Sequence, residues 1–312
     1  DLTRPEAPRS TLGFLVHGLA LRHARGLAPV TLLSCDNLAS NGRTLRGLVL
    51  AFAAELDATL AEWIARECTF PNSMVDRIVP KNDDLAVVTA EPFFDWAVED
   101  RFAAGRPDWS VHGARFVAHA EPYELLKLRM VNGSHSAIAY LGLAAGFATV
   151  DRAVADPALR RYVEALLRDE VEPTLAQLRE VDLPAYRARL LQRFANPALA
   201  HQTRQIAMDG SQKLPQRLLN TVRDRLAAGQ PIERLALAVA AWIHHLDGCD
   251  VSDPLANALA ALRSGEEHGR TARLLRYTPV FGALGADPRF ADPVTRWATL
   301  LRERGVAATL VA

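Results

Sequence analysis

EPYELLKLRMVNGSHSAIAYLG, residues 121–142, is the stretch that decides the fold, because from here to the end of the chain almost every segment has helical spacing. Its polar side chains share an arc of the predicted helix. At about 100° per residue, Glu124 lies about 60°, His135 about 80° and Asn132 about 140° round from Lys127. Four such groups on one face can hold an alcohol, move its proton and stabilise an alkoxide. The alternative is a solvent-exposed face, which is the commoner situation for charged and amide side chains.

The chain changes character at this stretch. Before it, helical spacing alternates with short β-rich runs, a pattern typical of a mixed α/β domain. We predict helices over 10–25 and 43–68, strands over 29–35, 85–90 and 114–120, and a polar loop over 70–84. After it, nearly every segment has helical spacing. The expected fold class is therefore α/β plus all-α, with domains over 1–115 and 116–312.

Composition limits the classes of function. The 312 residues include 36 basic and 36 acidic side chains, and this balance does not favour a nucleic-acid or anionic-membrane binder. No apolar run approaches the roughly 20 residues that span a bilayer. Three scattered cysteines, Cys35, Cys68 and Cys249, indicate a reducing compartment, and we expect a cytoplasmic protein. Because the first residue is Asp1 rather than Met, we expect a fragment or a processed product.

A polar turn follows the first predicted strand, in LLSCDNLASNG over 32–42. Open α/β sheets place ligand contacts at the carboxyl ends of their strands. Asn37 in this turn could donate its amide to a developing oxyanion. An ordinary loop or helix cap explains the same composition, since Asp, Asn and Ser favour both positions.

Two further segments contain charged groups. FPNSMVDRIVP, over 70–80, offers Asp76 and Arg77 for polar contacts near a ligand. The alternative is a rigid surface loop. RQIAMDGSQKLPQRL, over 204–218, offers Arg204 and Lys213 for hydroxyl or carboxylate groups. The alternative for these two cations is a solvated position near a helix end.

A metal site is not predicted. His244, His245, Cys249 and Asp250 are the only dense group of ligand-type residues near one another in the sequence. Adjacent histidines on a helix point about 100° apart, so they do not easily bind one tetrahedral ion.

Together, LSCDNLASNG, FPNSMVDRIVP, KLRMVNGSHSAIAYLG and DGSQKLPQRL resemble the motifs of the mannitol dehydrogenase and fructuronate reductase family, the polyol-specific long-chain dehydrogenases. The resemblance implies a Rossmann-like N-terminal domain, a helical C-terminal domain and an active site between them. It also implies metal-independent hydride transfer between NAD, or NADP, and a polyol or sugar acid. The family resemblance suggests a monomer or a small homo-oligomer.

The resemblance implies a role for each residue at the reacting oxygen. Lys127 matches the catalytic acid/base. Asn37 and Asn132 match the pair that binds the oxyanion, and His135 matches the histidine that binds and orients the substrate. Glu124 matches a glutamate implicated in proton passage to solvent.

The remaining roles concern the cofactor and the far end of the substrate. Asp76 and Asn37 match positions near the cofactor, and Lys213 and Arg204 match basic residues that hold the substrate. The family's glycine-rich cofactor turn is not in these 312 residues. We therefore expect that turn to lie upstream of Asp1. The alternative is a non-catalytic helical interaction module derived from such an enzyme.

Overall fold

The computed structural model describes residues 1–311 except 3, 5, 81–83, 85, 176–180, 249–250 and 265–268. Contacts divide the chain into two compact units. The first comprises Asp1–Arg77 and Pro92–Glu124, and the second comprises Ile78–Glu91 and Leu125–Ala312. The domain division at about residue 116 stays a prediction.

The first unit combines helices with a small mixed sheet. Its helices are α1 (Thr11–Ala24), α2 (Asn41–Leu56), α3 (Ala58–Glu67) and the start of α4 (Glu121–Leu126). Its strands are β1 (Ser73–Asp76), β2 (Asp95–Glu99) and β3 (Ala114–Val117), and a 3₁₀ turn covers Trp109–His112. Strand β2 pairs antiparallel with β1 and parallel with β3. Val16, Val49, Ala53 and Ile64 are fully buried where α1, α2 and α3 pack together.

The single helix predicted over 43–68 is wrong, because Asp57 divides it. Asp57 has extended backbone angles (φ −161°, ψ 119°), and its carboxylate accepts the N–H of Thr59 at 2.7 Å. Aspartate favours this position at a helix N-terminus because its side chain satisfies a backbone donor that has no partner within the helix. The result is two helices packed against each other.

The predicted strand over 29–35 is also wrong. The segment is extended, but it pairs through one isolated parallel bridge, between Thr31 and Thr69. The N–H of Leu32 donates to Thr69 at 2.9 Å, and the N–H of Thr69 donates to Val30 at 3.4 Å. Two backbone hydrogen bonds to a single residue are too few to form a strand of a β-sheet.

Two neighbouring predictions also need correction. The predicted loop over 70–84, of which residues 81–83 lie outside the described part, contains β1. This strand pairs with β2, and its Met74 and Asp76 are buried. The run over 85–90 has no strand in its described residues, 86–90. Val87 and Val88 are largely exposed, so this run lacks the buried face that favours an apolar strand. The strand in this region is β2, further along the chain, whereas the run over 114–120 does contain β3.

The second unit is helical in its described residues. After the end of α4, its α-helices are α5 (Ser134–Ala144), α6 (Val150–Ala155), α7 (Pro157–Ala165), α8 (Leu183–Phe194), α9 (Thr203–Ala207), α10 (Gly210–Leu214), α11 (Asn220–Ala227), α12 (Glu233–His245), α13 (Ala256–Arg263), α14 (Arg270–Leu275), α15 (Thr278–Phe281) and α16 (Pro288–Thr309). Short 3₁₀ segments cover Glu172–Leu175 and Gly282–Ala286. Helices α5 and α12 pack together in the core, and α16 packs against α12.

In the described residues of this unit, three segments are π-helical: Lys127–Gly133, Leu166–Val171 and Pro215–Leu219. The first joins α4 to α5, and the third joins α10 to α11. Gly133 allows these two to approach closely, because a Cβ atom there would lie 2.8 Å from the carbonyl oxygen of Arg217. None of the helices among the described residues is long and apolar enough to cross a membrane.

Candidate active site

The polar groups of α4, of α5 and of the π segment between them are buried or half-buried. Asn132 is 9% exposed and His135 is 7% exposed, while Glu124 and Lys127 are half-buried. Buried amide and imidazole groups need polar partners, so burial at these positions favours a ligand-binding role over the solvent-exposed alternative.

Lys127 and Asn132 both lie in the π-helical segment Lys127–Gly133. In a π-helix the N–H of residue i+5 bonds the carbonyl of residue i, so residue i+5 lies about one turn above residue i. The α-helical estimate, about 140° of separation, therefore does not hold here. The π segment aligns the two side chains more closely, and such insertions are frequent at functional sites.

His135 lies among aromatic and basic side chains of the second unit. Its ring centroid is 4.4 Å from that of Phe194 and 5.6 Å from that of His201. Burial lowers the pKa of His135 well below its ordinary value, and the neighbouring His201, Arg217 and Arg193 lower it further. The imidazole is therefore neutral near pH 7, with one nitrogen as donor and the other as acceptor.

Arg217 is a residue that the sequence analysis missed. Its Nη1 donates to the Oγ of Ser136 at 3.2 Å, next to His135 in the chain. Burial lowers the pKa of Arg217, and the neighbouring Tyr140 acts in the opposite direction. Burial also raises the pKa of Tyr140, so the phenol stays protonated. The spacing of Arg217, four residues after Lys213, was the available signal, since residues four apart share a helix face.

Lys213 is held close to its own backbone turn. Its Nζ donates to the carbonyl of Met208 at 2.6 Å and lies 3.7 Å from the carboxylate of Asp209. Burial lowers the pKa of Lys213, Arg217 lowers it further, and Asp209 acts in the opposite direction. Arg204, the other predicted cation, is exposed on α9.

Arg193 supplies a second buried positive charge near His135. It forms a two-point ion pair with buried Glu91, at 2.9 Å from Nε and 2.7 Å from Nη2. The same carboxylate accepts the N–H of Ile78 at 2.6 Å, which anchors the segment Ile78–Glu91 in the second unit. No pattern in the sequence indicated this pair.

In the first unit, Asn37 is exposed in the turn before α2. Two groups shape this turn. The side-chain amide of Asn41 donates to the carbonyls of Ser34 and Asp36 at 3.0 and 3.1 Å. Both carboxylate oxygens of Glu124 accept the N–H of Ser40 at 3.1 Å. Glu124 therefore positions the turn that contains Asn37.

Asp76 is the last residue of β1 and is 2% exposed. A buried network lies at the opposite end of β1, next to Ser73. The carboxylate of Glu99 accepts the backbone N–H and the side-chain amide of Asn72 at 2.9 and 3.1 Å. The carbonyl oxygen of the Asn72 side chain accepts the N–H of Arg43 at 3.1 Å.

Among the described residues, one group has ligand atoms close enough to share a metal ion: Glu99, His119 and Glu121. Glu99 already accepts two hydrogen bonds from Asn72, and Glu121 pairs with Arg43. Both carboxylates thus have protein partners.

The group considered from the sequence includes His244 and His245, which end α12. Burial lowers the pKa of His245. Cys249 and Asp250, the other two members, lie outside the described residues. The absence of a metal at this group stays a prediction.

Comparison with known families agrees with the motifs. Residues 3–111 match the mannitol dehydrogenase Rossmann domain, and residues 119–300 match the mannitol dehydrogenase C-terminal domain. The chain is 42% identical to a D-mannonate oxidoreductase of Escherichia coli (strain K12), covering all of this chain and 69% of that protein. It is 36% identical to a mannitol 2-dehydrogenase of Phaeosphaeria nodorum, covering 99% of this chain and 58% of that protein.

Solved structures of two polyol dehydrogenases also match the fold of this chain. The mannitol 2-dehydrogenase of Pseudomonas fluorescens, in ternary complex with NAD and D-mannitol, matches with a TM-score of 0.87 and 37% identity over 99% of this chain and 67% of that one. A D-sorbitol dehydrogenase in substrate-free form matches with a TM-score of 0.89 and 32% identity, covering 99% of this chain and 68% of that one. The predicted fold class and resemblance are confirmed.

Proposed function

The chain belongs to the mannitol dehydrogenase family, and on this basis we propose that it is an NAD- or NADP-dependent secondary-alcohol dehydrogenase acting on a polyol or an aldonate. The product is the corresponding ketose or keto-acid, of the mannitol or mannonate type. The observation that carries the proposal is the burial of Asn132 and His135 on the helix whose π segment begins at Lys127.

Lys127 is the proposed acid/base. Neutral Lys127 accepts the hydroxyl proton during oxidation, and its ammonium form returns the proton during reduction. A lysine in water titrates at about 10.4, so this role asks for an environment that lowers the pKa. The proposal does not require a metal ion.

Asn132 and Asn37 are the proposed donors to the reacting oxygen as negative charge grows on it. One such donor can contribute about 3 kcal/mol to transition-state stabilisation. Asn132 has the burial that makes such a donor effective. The role of Asn37, like that of Glu124 in proton passage, is supported by the motif resemblance.

Lys213, Arg204 and Arg217 are proposed to bind the end of the substrate that lies away from the reacting hydroxyl. Arg217 and Lys213 lie close enough for their charges to interact, and both are partly desolvated. Partly buried cations suit a row of hydroxyls or a carboxylate, which supply acceptor oxygens. His135 is proposed to bind a substrate hydroxyl through its neutral ring.

NAD would supply the hydride acceptor when it is bound. The 312 residues contain no Gly-x-Gly-x-x-Gly turn, so they fit only part of a dinucleotide site. Asn37 and Asp76 are the residues of this chain proposed to lie near the cofactor. The rival proposal is a non-catalytic helical module. Such a module would not require the buried polar side chains around His135.

The decisive experiment compares two lysine variants of the full-length protein. Lys127→Ala should lower kcat by about 10²- to 10⁴-fold, the usual range for general acid–base catalysis, and a small primary amine should restore part of the loss. Lys213→Ala is the matched control. It should raise KM while leaving kcat nearly unchanged and gain nothing from the amine.

Initial rates with polyols and hexonates, each with NAD and NADP, provide the measurement. Near-normal kcat in Lys127→Ala would refute the acid/base assignment. Failure of the unmodified protein to oxidise any substrate in the panel would favour the non-catalytic module.

A further inference from the structure

A small cavity in the second unit is lined in part by His135. It is lined by His135, Asp151, His201, Arg193 and Phe194, among others, and its volume is about 10 Å³. One water molecule needs roughly this volume, measured as the space open to a water-sized sphere. The cavity is therefore large enough for one water and too small for an organic ligand.

Three residues of the lining each have a buried polar atom without a hydrogen-bond partner among the described residues. These atoms are Nε2 of His135, Oδ1 of Asp151 and Nδ1 of His201. Leaving one such atom unsatisfied costs about 1–3 kcal/mol. Buried polar groups in folded proteins are nearly always paired, either with protein or with ordered water.

The three groups do not satisfy one another directly. The rings of His135 and His201 are 5.6 Å apart and meet edge to face at 84°. The other carboxylate oxygen of Asp151 faces Arg152, at 3.8 Å from its Nε. All three residues line the same cavity, so a molecule bound there lies next to each of them.

We propose that one ordered water molecule in this cavity joins His135 Nε2, Asp151 Oδ1 and His201 Nδ1, and that Asp151 and His201 are positioning residues for His135. A metal ion fits the cavity less well. The ligand atoms of these three side chains are not among the groups of described residues that lie within 4.8 Å of one another.

The hydrogen-bond count gives the water a definite effect on the histidines. An ionised carboxylate only accepts, so one water proton points at Asp151. The water has one proton left for the two imidazole nitrogens. At least one of His135 Nε2 and His201 Nδ1 must therefore carry its own proton and donate to the water. Asp151 thereby restricts the tautomer and orientation of the ring that, in the proposed function, binds the substrate hydroxyl.

The first test needs no activity. A crystal structure of the full-length protein at a resolution that shows ordered water should place one water within hydrogen-bond distance of all three atoms. Nitrogen NMR of labelled histidines should show at least one of the two nitrogens protonated in the unmodified protein, and a changed pattern in Asp151→Asn. An empty cavity, or identical histidine spectra in both proteins, would overturn the proposal.

The second test measures the effect on the reaction and rests on the proposed function. Asp151→Asn should raise KM about tenfold with kcat changed less than about twofold, because the ring that binds the substrate is less well oriented. Arg152→Ala is the matched control: it removes the exposed neighbour of Asp151 and leaves the cavity intact, so KM should not change. Equal KM values for Asp151→Asn and the unmodified enzyme would refute the positioning role. A protein with the bridging water but no dehydrogenase activity would instead refute the proposed function alone.

Discussion

Replacing Gly133 with alanine tests whether the two π segments must touch. Gly133 has ordinary helical angles (φ −64°, ψ −51°), so alanine fits the backbone there. In a helix interior, alanine is more favourable than glycine by about 0.8–1.0 kcal/mol. Space decides the outcome, because the new Cβ would lie 2.8 Å from the carbonyl oxygen of Arg217. That oxygen is backbone and cannot rotate away.

Adding one methyl group to a packed region typically costs about 1–3 kcal/mol. Subtracting the helix-propensity gain leaves a net destabilisation of up to about 2 kcal/mol for Gly133→Ala. Gly47→Ala is the matched control, since Gly47 is exposed within α2 and a Cβ there meets nothing within 4 Å. The control should gain about 1 kcal/mol, so the two variants should differ in sign.

Urea unfolding of both variants and the parent is the assay, and separate transitions of the two units should be fitted separately. Gly133→Ala should shift the transition of the second unit. It should also raise KM, because displacing the backbone of Arg217 weakens the 3.2 Å contact between its Nη1 and Ser136. If Gly133→Ala stabilised the protein as much as Gly47→Ala, the close approach of the π segments would be wrong.

Three further outcomes are expected. Burial lowers the pKa of His135, His201 and His245 in the folded protein. Below about pH 6.5 the unfolded state therefore binds more protons than the folded state, and the free energy of unfolding should fall as the pH decreases from about 7 to 5.5. Urea unfolding of His135→Asn over that range should show a shallower pH dependence, and an unchanged slope would contradict the assignment. Prolonged chelation should leave turnover intact, whereas loss of activity that zinc restores would show a metal requirement. Calorimetry on Asp1–Ala312 should detect weak NADH binding or none, because these residues contain no Gly-x-Gly-x-x-Gly turn to hold the pyrophosphate, and micromolar affinity would refute that expectation.

The helical half of the fold could be predicted because its apolar positions recur with helical spacing over long segments. The prediction failed where one residue or one interaction changed the local structure. Asp57 ended a helix by adopting extended angles, although the sequence around it remains rich in Leu and Ala. Asp76 joined a strand because β2 pairs with that segment, and strand pairing depends on partners distant in sequence.

The candidate site was predictable to the extent that its residues are close in sequence. Asn132 and His135 are buried on one helix. His201 and Arg193 come from other elements, and their approach to His135 depends on how the helices pack. No spacing rule links residues so far apart in the chain.

The π segment at Lys127–Gly133 shows why helical-wheel reasoning can identify the right residues and still misplace them. The wheel assigned Asn132 to the edge of the polar arc, because an α-helix turns about 100° per residue. One π turn adds a residue to the turn, which brings the fifth residue back above the first. Gly133 makes the π turn compatible with the packing of the second unit, because without a side chain it lets the carbonyl oxygen of Arg217 approach without a clash. Both the π segment that contains Lys127 and Asn132 and the contact from Arg217 to Ser136 lie at this close approach. A single methyl group at residue 133 should disturb both.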